Sequence, residues 1–211
     1  MNYSLVTNKN IFIDEILVNE FFGQKTDGFF VELGANNGTF QSNTKKLESE
    51  YNWSGILIEP CYEDYKKCLK SRKAKCYNCA CVSYDYNKDT ILGDFKYSNP
   101  MSSINGVRSN CSDLIEVNAK TLDSILEENN ITHIDLLSLD VEGYEYEVLN
   151  GIDFNKRTIK YLLIEIYLKD FDKIVNFLSK FGYHNHKCLT NYNKLDNPKW
   201  DGTHNDYIFC K

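Results

Sequence analysis

Residues 28–38 read Gly-Phe-Phe-Val-Glu-Leu-Gly-Ala-Asn-Asn-Gly. The apolar run Phe29 to Leu33, carrying the acid Glu32, ends in a glycine loop, and a helix-like segment begins at Ser42. A second apolar run, Gly55 to Ile58, follows and closes on Glu59. Strand, glycine turn, helix, strand, carboxylate is the layout of a nucleotide-cofactor half-site in a doubly wound α/β fold. The glycines stand as GxxxG (Gly34, Gly38) and not as GxGxxG. No pyrophosphate then has to lie against the helix N-terminus, so the spacing suits S-adenosylmethionine better than a dinucleotide.

Outward from this block, helices and strands alternate. Phe12, Ile16, Leu17, Phe21 and Phe22 recur at helical spacing before the first strand. A helix over about 43–51 with Ser42 as its N-cap, a strand over 56–58 and a helix over about 62–69 come next. A third strand is expected over about 75–83 and a short hairpin over 90–97. Residues 99–112 are rich in serine, asparagine and glycine and too long for an ordinary connection, which makes them a candidate lid or substrate loop. Thr121 is placed to cap a helix with Leu122, Ile125 and Leu126 inward. Strands over 134–140 and 161–166 follow, then an amphipathic helix over 171–181, and 183–189 with 207–210 as antiparallel partners. Such an order predicts a mainly parallel sheet with helices on both faces. The whole chain reads as one domain: an N-terminal helical segment over 1–27, a cofactor-binding core over 28–166 and a sheet-completing segment over 167–211.

Ligands of such sheets sit beyond the carboxyl ends of the strands. Four acids are expected there: Glu32, Glu59, Asp140 and Glu165. A carboxylate ending the second strand can accept hydrogen bonds from both ribose hydroxyls, and Glu59 lies 21 residues beyond Gly38, near the spacing of about 20 for ribose-binding acids. Gly34 and Gly38, flanking Ala35 and Asn36, let backbone approach the cofactor. Glu32 is expected to meet the cofactor's ammonium directly or through the loop amides. Pro60 adjoins the ribose acid, and Ala80 and Cys81 would flank the adenine edge. An ordinary tight turn is the bland reading of the two glycines, and Glu59 with the run Asp140-Val141-Glu142-Gly143 argues against it.

The bulk numbers narrow the field. The 211 residues are 42% hydrophobic, enough for a sizeable core. A net charge of −6 argues against general nucleic-acid binding, whose affinity comes mainly from phosphate neutralisation. The basic residues Lys66, Lys67, Lys70, Arg72, Lys73 and Lys75 read as the solvated face of a helix running into a loop, with a contact surface for an anionic partner as the alternative. Residues 1–10 lack the order of a signal peptide, and no apolar run approaches the ~20 residues of a membrane span. The expected location is cytoplasmic, and the eight cysteines are expected as reduced thiols. Zinc on Cys76, Cys79 and Cys81 lacks a fourth ligand at fixed spacing.

Two blocks carry a family resemblance. The first is Gly28 to Gly38, Ser42-Asn43-Thr44, Leu47-Glu48, Trp53-Ser54-Gly55 and Ile58-Glu59-Pro60. The second is Thr121-Leu122-Asp123, the run Ile134 to Gly143, Glu145, Val148-Leu149 and Ile164-Glu165. Together they resemble the FkbM family of S-adenosylmethionine-dependent methyltransferases over roughly 14–165. The resemblance implies a Rossmann-like class I methyltransferase fold and methylation of a hydroxyl on a sugar, glycan or related small molecule. It implies that Glu32, Gly34, Asn36 and Gly38 form the first cofactor loop and that Ser42, Asn43 and Thr44 start the helix beneath the methionine end. Glu59 would hold the ribose, and Asp140 would face the methyl group and the acceptor. The chain departs from the family pattern at Asn37, where many relatives have Asp, and at Ile166-Tyr167, where His-Asn commonly follows the glutamate.

Methyl transfer to an alcohol needs a proton acceptor. Asp140 is the first candidate, since partial desolvation would raise its pKa; Glu142, Glu165 and His204 are the others. His204, in the polar stretch 202–206, reads first as an exposed loop residue, and Glu145 and Glu147 as the exposed face of a helix. Metal is left out, because Asp140 and Glu142 two positions apart need not converge. The rival readings are an NAD-dependent oxidoreductase, a non-catalytic binding module and a nucleic-acid methyltransferase. They lack, in turn, the GxGxxG loop, any need for Glu59 and Asp140, and an Asn/Asp-Pro-Pro-aromatic segment.

Overall fold

The computed structural model describes residues 2–211. Its main sheet has seven strands: β1 (Phe29–Leu33), β2 (Ser54–Ile58), β3 (Lys75–Tyr77), β7 (His133–Leu139), β8 (Thr158–Tyr167), β9 (Asn185–Cys188) and β10 (His204–Cys210). They lie in the order β3-β2-β1-β7-β8-β10-β9. From β3 to β8 neighbours run parallel, while β10 pairs antiparallel with both β8 and β9. The chain builds outward from β1 to β3 and then returns to the other side of β1 with β7. That reversal opens a crevice at the carboxyl ends of β1 and β7.

Two apolar layers explain why the sheet sits between helices. Val31, Leu33, Ile56, Ile58, Leu137, Leu139, Leu162 and Ile164 pack with α4 (Leu122–Glu128), α5 (Glu145–Leu149) and α6 (Phe171–Ser179). The alternate positions Phe30, Leu57, Leu136 and Leu163 pack with α1 (Ile13–Ile16), α2 (Lys45–Tyr51) and α3 (Tyr62–Ser71). The two-residue period of strands thus sends alternate side chains to opposite helix layers. α1 runs on as a π-turn over Leu17–Phe21. Thr121 caps α4 as expected, its hydroxyl accepting from the Ser124 amide at 3.2 Å.

The stretch 75–97 departs from the sequence reading. The third strand breaks after Tyr77, and β4 (Ala80–Val82) leaves the main sheet to pair with β6 (Ile115–Thr121). No hairpin closes over 90–97: β5 (Thr90–Gly93) pairs antiparallel with β6 instead. β4, β6 and β5 form a small second sheet over an apolar cluster of Cys61, Ala80, Val82, Ile91, Phe95 and Ile104. Among the described residues, no helix is long and apolar enough to cross a membrane.

Candidate active site

Strand register brings the chemistry together. Leu33, Ile58, Leu139 and Ile164 are aligned across β1, β2, β7 and β8. The next residue of each strand is Gly34, Glu59, Asp140 or Glu165, so four positions far apart in the chain fall in one row. All four line a cleft enclosing about 1200 Å³ of empty space, its mouth included. Gly34 is where the two central loops touch. Its φ of +74° favours glycine, and a Cβ there would lie 1.7 Å from the Asp140 carbonyl oxygen.

Glu59 is buried and ties the glycine loop to its own strand end. Its Oε2 accepts from the Asn36 amide at 2.7 Å and its Oε1 from the Cys61 amide at 2.8 Å. Each oxygen keeps a second lone pair for a ligand. Burial pushes its pKa up to about 8, against the pull of those two amides. Asn37 braces the loop from within: its Oδ1 accepts from the Thr39 amide and hydroxyl and from the Phe40 amide.

The turn after β7 carries the second half of the site. Glu142 and Gly143 both have positive φ. Glu145 reaches back from α5, and its Oε1 accepts from the amides of Val141 (3.0 Å) and Gly143 (3.1 Å). Glu145 is therefore buried, contrary to the exposed helix face read from the sequence, and burial raises its pKa to about 7. The isolated sequence could not show that the turn folds over it. Asp140 and Glu165 are pushed well above the usual carboxylate range, both by burial first, then Asp140 by Glu142 and Asp206 and Glu165 by Asp140 and Asp206.

His204 is a correction as well. It opens β10, is only 19% exposed at its side chain, and lines the cleft with Nε2 at 3.3 Å from Glu165 Oε1. Burial lowers its pKa. The antiparallel return of β10 along β8 places it there, pairing His204 with Tyr167 and Asp206 with Glu165.

The roof comes from the 98–112 loop, whose Asn99, Pro100, Met101 and Ser102 join Phe95 and Ile104 in the lining. Asp94 knots this loop, accepting from the Ser103 amide and the Ser109 hydroxyl. Arg108 fastens it to the β7 turn and to the segment before β10, with Nε at 3.2 Å from Glu142 and Nη2 on Asp201.

The Methyltransferase FkbM domain matches residues 32–184. The chain belongs to the FkbM methyltransferase family. Its fold is that of class I methyltransferases. Phosphoethanolamine N-methyltransferase 2 of Haemonchus contortus, solved with S-adenosyl-L-methionine, has a TM-score of 0.51 at 10% identity, over 93% of this chain and 51% of that one. Precorrin-6y C5,15-methyltransferase of Geobacter metallireducens gives 0.48 at 11% identity, over 89% and 82% of the two chains. A SAM-dependent methyltransferase from Aquifex aeolicus gives 0.47 at 12%, over 94% and 89%. Identities this low speak for the fold alone. Comparison with curated proteins gives no match.

In this FkbM-family chain the expected site residues divide in two. Gly34, Asn36, Glu59, Pro60, Ala80, Cys81, Asp140, Glu142, Glu165 and His204 line the cleft. Ala35, Gly38, Ser42, Asn43, Thr44 and Glu32 lie behind its wall. Glu32 shares a strand row with Leu57 and Ser138, so it faces the layer of α1 to α3. Its carboxylate accepts from the Ser42 hydroxyl, the Asn43 amide (2.8 Å) and the Thr44 hydroxyl (2.6 Å), which leaves it bracing the loop. The Ser42 hydroxyl also accepts from the Lys45 amide that begins α2. Tyr144 lines the cleft, Tyr97 is 67% exposed, and Tyr167 donates to Glu142 at 2.6 Å.

Among the residues that escaped the sequence reading, Tyr192 and Arg72 matter most. Tyr192 lines the cleft from the segment between β9 and β10. Arg72, assigned to a solvated basic face, has a fully buried side chain. It donates to Glu32 (3.3 Å), Glu48 (2.9 Å), the Gly38 carbonyl (3.0 Å), Ser42 (3.1 Å) and Thr44 (2.8 Å). Only its place after Cys68 and Ser71, at the end of an amphipathic helix, hinted that the chain turns inward there.

Proposed function

We propose that this protein is an S-adenosylmethionine-dependent O-methyltransferase acting on a hydroxyl of a sugar, glycan or related small molecule. One observation carries the reading: register sets Gly34, Glu59, Asp140 and Glu165 in a single row along an open cleft. The cofactor fits what is there. Gly34 lets the two central loops close on each other at the cleft, and buried Glu59 keeps one free lone pair on each oxygen for a ribose diol. Ala80 and Cys81 offer a small wall for an adenine edge, and Pro60 closes the ribose side. Bound there, the cofactor supplies an electrophilic methyl group on a sulfonium.

The chain's residues then have three tasks. The loop 98–112 and Tyr192 hold the acceptor and exclude water. Alignment of the acceptor oxygen with the methyl carbon and sulfur lowers the barrier by several kcal/mol through proximity alone. Asp140 takes the hydroxyl proton, with Glu142, Glu165 and His204 within the same acid pocket as further acceptors. An amine acceptor is the second reading, favoured by one feature: Glu59, Asp64, Asp140, Glu142 and Glu165 line the cleft, and no lysine or arginine does.

The test supplies methyl-labelled S-adenosylmethionine with a panel of sugars, glycans, small alcohols and amines. Label on a hydroxyl, lost in Asp140→Asn while S-adenosylhomocysteine still binds, is the expected result. Label on amines only would replace the O-methyl assignment, and full turnover in Asp140→Asn would remove Asp140 as the base.

A further inference from the structure

The turn after β7 and the end of β8 bring three carboxylates to one point. Asp140, Glu142 and Glu165 each offer an oxygen, and these oxygens lie within 4.8 Å of one another. Ligands of one ion at about 2.1–2.4 Å can be no further apart than twice that distance, so the spacing fits a shared centre. The holding of Glu142 by Arg108 and Tyr167 overcomes the separation of i and i+2 positions that argued against convergence in the sequence.

A second observation points to something these acids hold. Glu165 Oε2 is buried and has no hydrogen-bond partner, on a side chain only 6% exposed that lines the cleft. Asp206, opposite Glu165 in the β8–β10 register, has an orphaned buried oxygen of its own, Oδ2. One cation is at hand, Arg108, and it meets Glu142; His204, kept toward its neutral form by burial, meets the other oxygen of Glu165, and among the described residues no donor bonds the Asp140 carboxylate. An unpaired buried carboxylate oxygen is costly, and a cation held among these acids would compensate it.

We propose that Asp140, Glu142 and Glu165 bind a divalent cation. An all-oxygen donor set selects a hard ion, Mg²⁺, Mn²⁺ or Ca²⁺, over a soft one. Three protein ligands leave positions open toward the cleft, where an acceptor with a hydroxyl beside a second oxygen could bind. The ion site itself does not depend on the methyl-transfer reading, since an acid cradle binds a cation or fails to whatever the donor.

The experiment uses the full chain, stripped with a chelator and given no methyl donor. Mn²⁺ is titrated in and the free ion is followed by electron paramagnetic resonance, with Mg²⁺ and Ca²⁺ as competitors. The expected result is one saturable site, displaced by Mg²⁺ or Ca²⁺, and weakened at least tenfold in both Glu165→Gln and Asp140→Asn. Glu63→Gln, an exposed acid on α3, should bind as the parent does. Circular dichroism checks that each variant folds; relief of like charge should leave Glu165→Gln at least as stable as the parent, so loss of binding there is not loss of fold. Absence of saturable Mn²⁺ binding, or binding that persists in both cleft variants, overturns the proposal. So does capture of an alkylammonium probe by the same acids with no Mn²⁺ bound.

Discussion

Replacing Arg72 by methionine tests how the chain holds its glycine loop. The guanidinium is wholly buried and serves two acids, Glu32 and Glu48, whose side chains are 5% and 4% exposed. Removing one partner of a buried ion pair costs about 3–5 kcal/mol, because a charge is left without compensation. Here both acids keep other donors: Ser42, Asn43 and Thr44 on Glu32, and the Lys73 and Ala74 amides on Glu48. That places the expected loss near 3–4 kcal/mol, about 6–16 °C in Tm for a chain of this length. Urea denaturation of parent and variant measures it. If uncompensated charge is the cause, adding Glu32→Gln to Arg72→Met should restore part of the loss. A single variant within about 1 kcal/mol of the parent, or a double variant that loses the full sum, would refute the reasoning.

Gly34→Ala should both destabilise the fold and abolish binding of S-adenosylhomocysteine, since its Cβ would collide with the Asp140 carbonyl at a φ that disfavours side chains; calorimetry and a thermal melt read the two effects, and parent-like behaviour in both counts against the close approach. Glu59, Glu145 and Asp206 have folded-state pKa values raised to about 8, 7 and 7, with burial the foremost cause. The folded chain holds these protons more tightly than the unfolded one, so stability present below pH ~4 is lost as pH rises through about 8. Denaturation at pH 5.5 and 8.5 should show the lower free energy at 8.5, and a rise across that window would contradict the assignment. Arg108→Ala should free the 98–112 loop from Glu142 and Asp201, seen as faster proteolytic cleavage within the loop; an unchanged rate would mean that Asp94 and its partners suffice.

The legible part of the fold was the part whose signals are local. Phe29–Leu33 reads as a strand from its apolar run, and Thr121 as a cap from its place before Leu122, Ile125 and Leu126; both are found as read. β6 was missed although Ile115, Val117 and Ala119 alternate with polar residues, because the strand is half-exposed and lies beside a polar loop. The break between Tyr77 and Ala80 follows from β4 pairing with β6, a partner more than thirty residues on. Register is likewise non-local: Glu59, Asp140 and Glu165 were legible as acids at one end of the sheet, whereas Glu32 lies two positions before the row that Gly34 shares with them and is taken up by Ser42, Asn43 and Thr44 inside the layer of α1 to α3. Arg72, Glu145 and His204 were misplaced for one reason. Charged residues read as solvated when the partners that bury them come from other elements.

The central claim is that the cleft beyond β1, β2 and β7 holds a sulfonium methyl donor, with Glu59 on its ribose. Calorimetric titration of the full chain with S-adenosylhomocysteine tests it most directly. Above about pH 8, where the Glu59 carboxylate is ionised, the account predicts one-to-one binding, absent with NAD, and weakened in Glu59→Ala by two charged hydrogen bonds of about 1.5–3 kcal/mol each, a hundredfold or more in Kd. No binding by the parent chain, or equal affinity in Glu59→Ala, would contradict it.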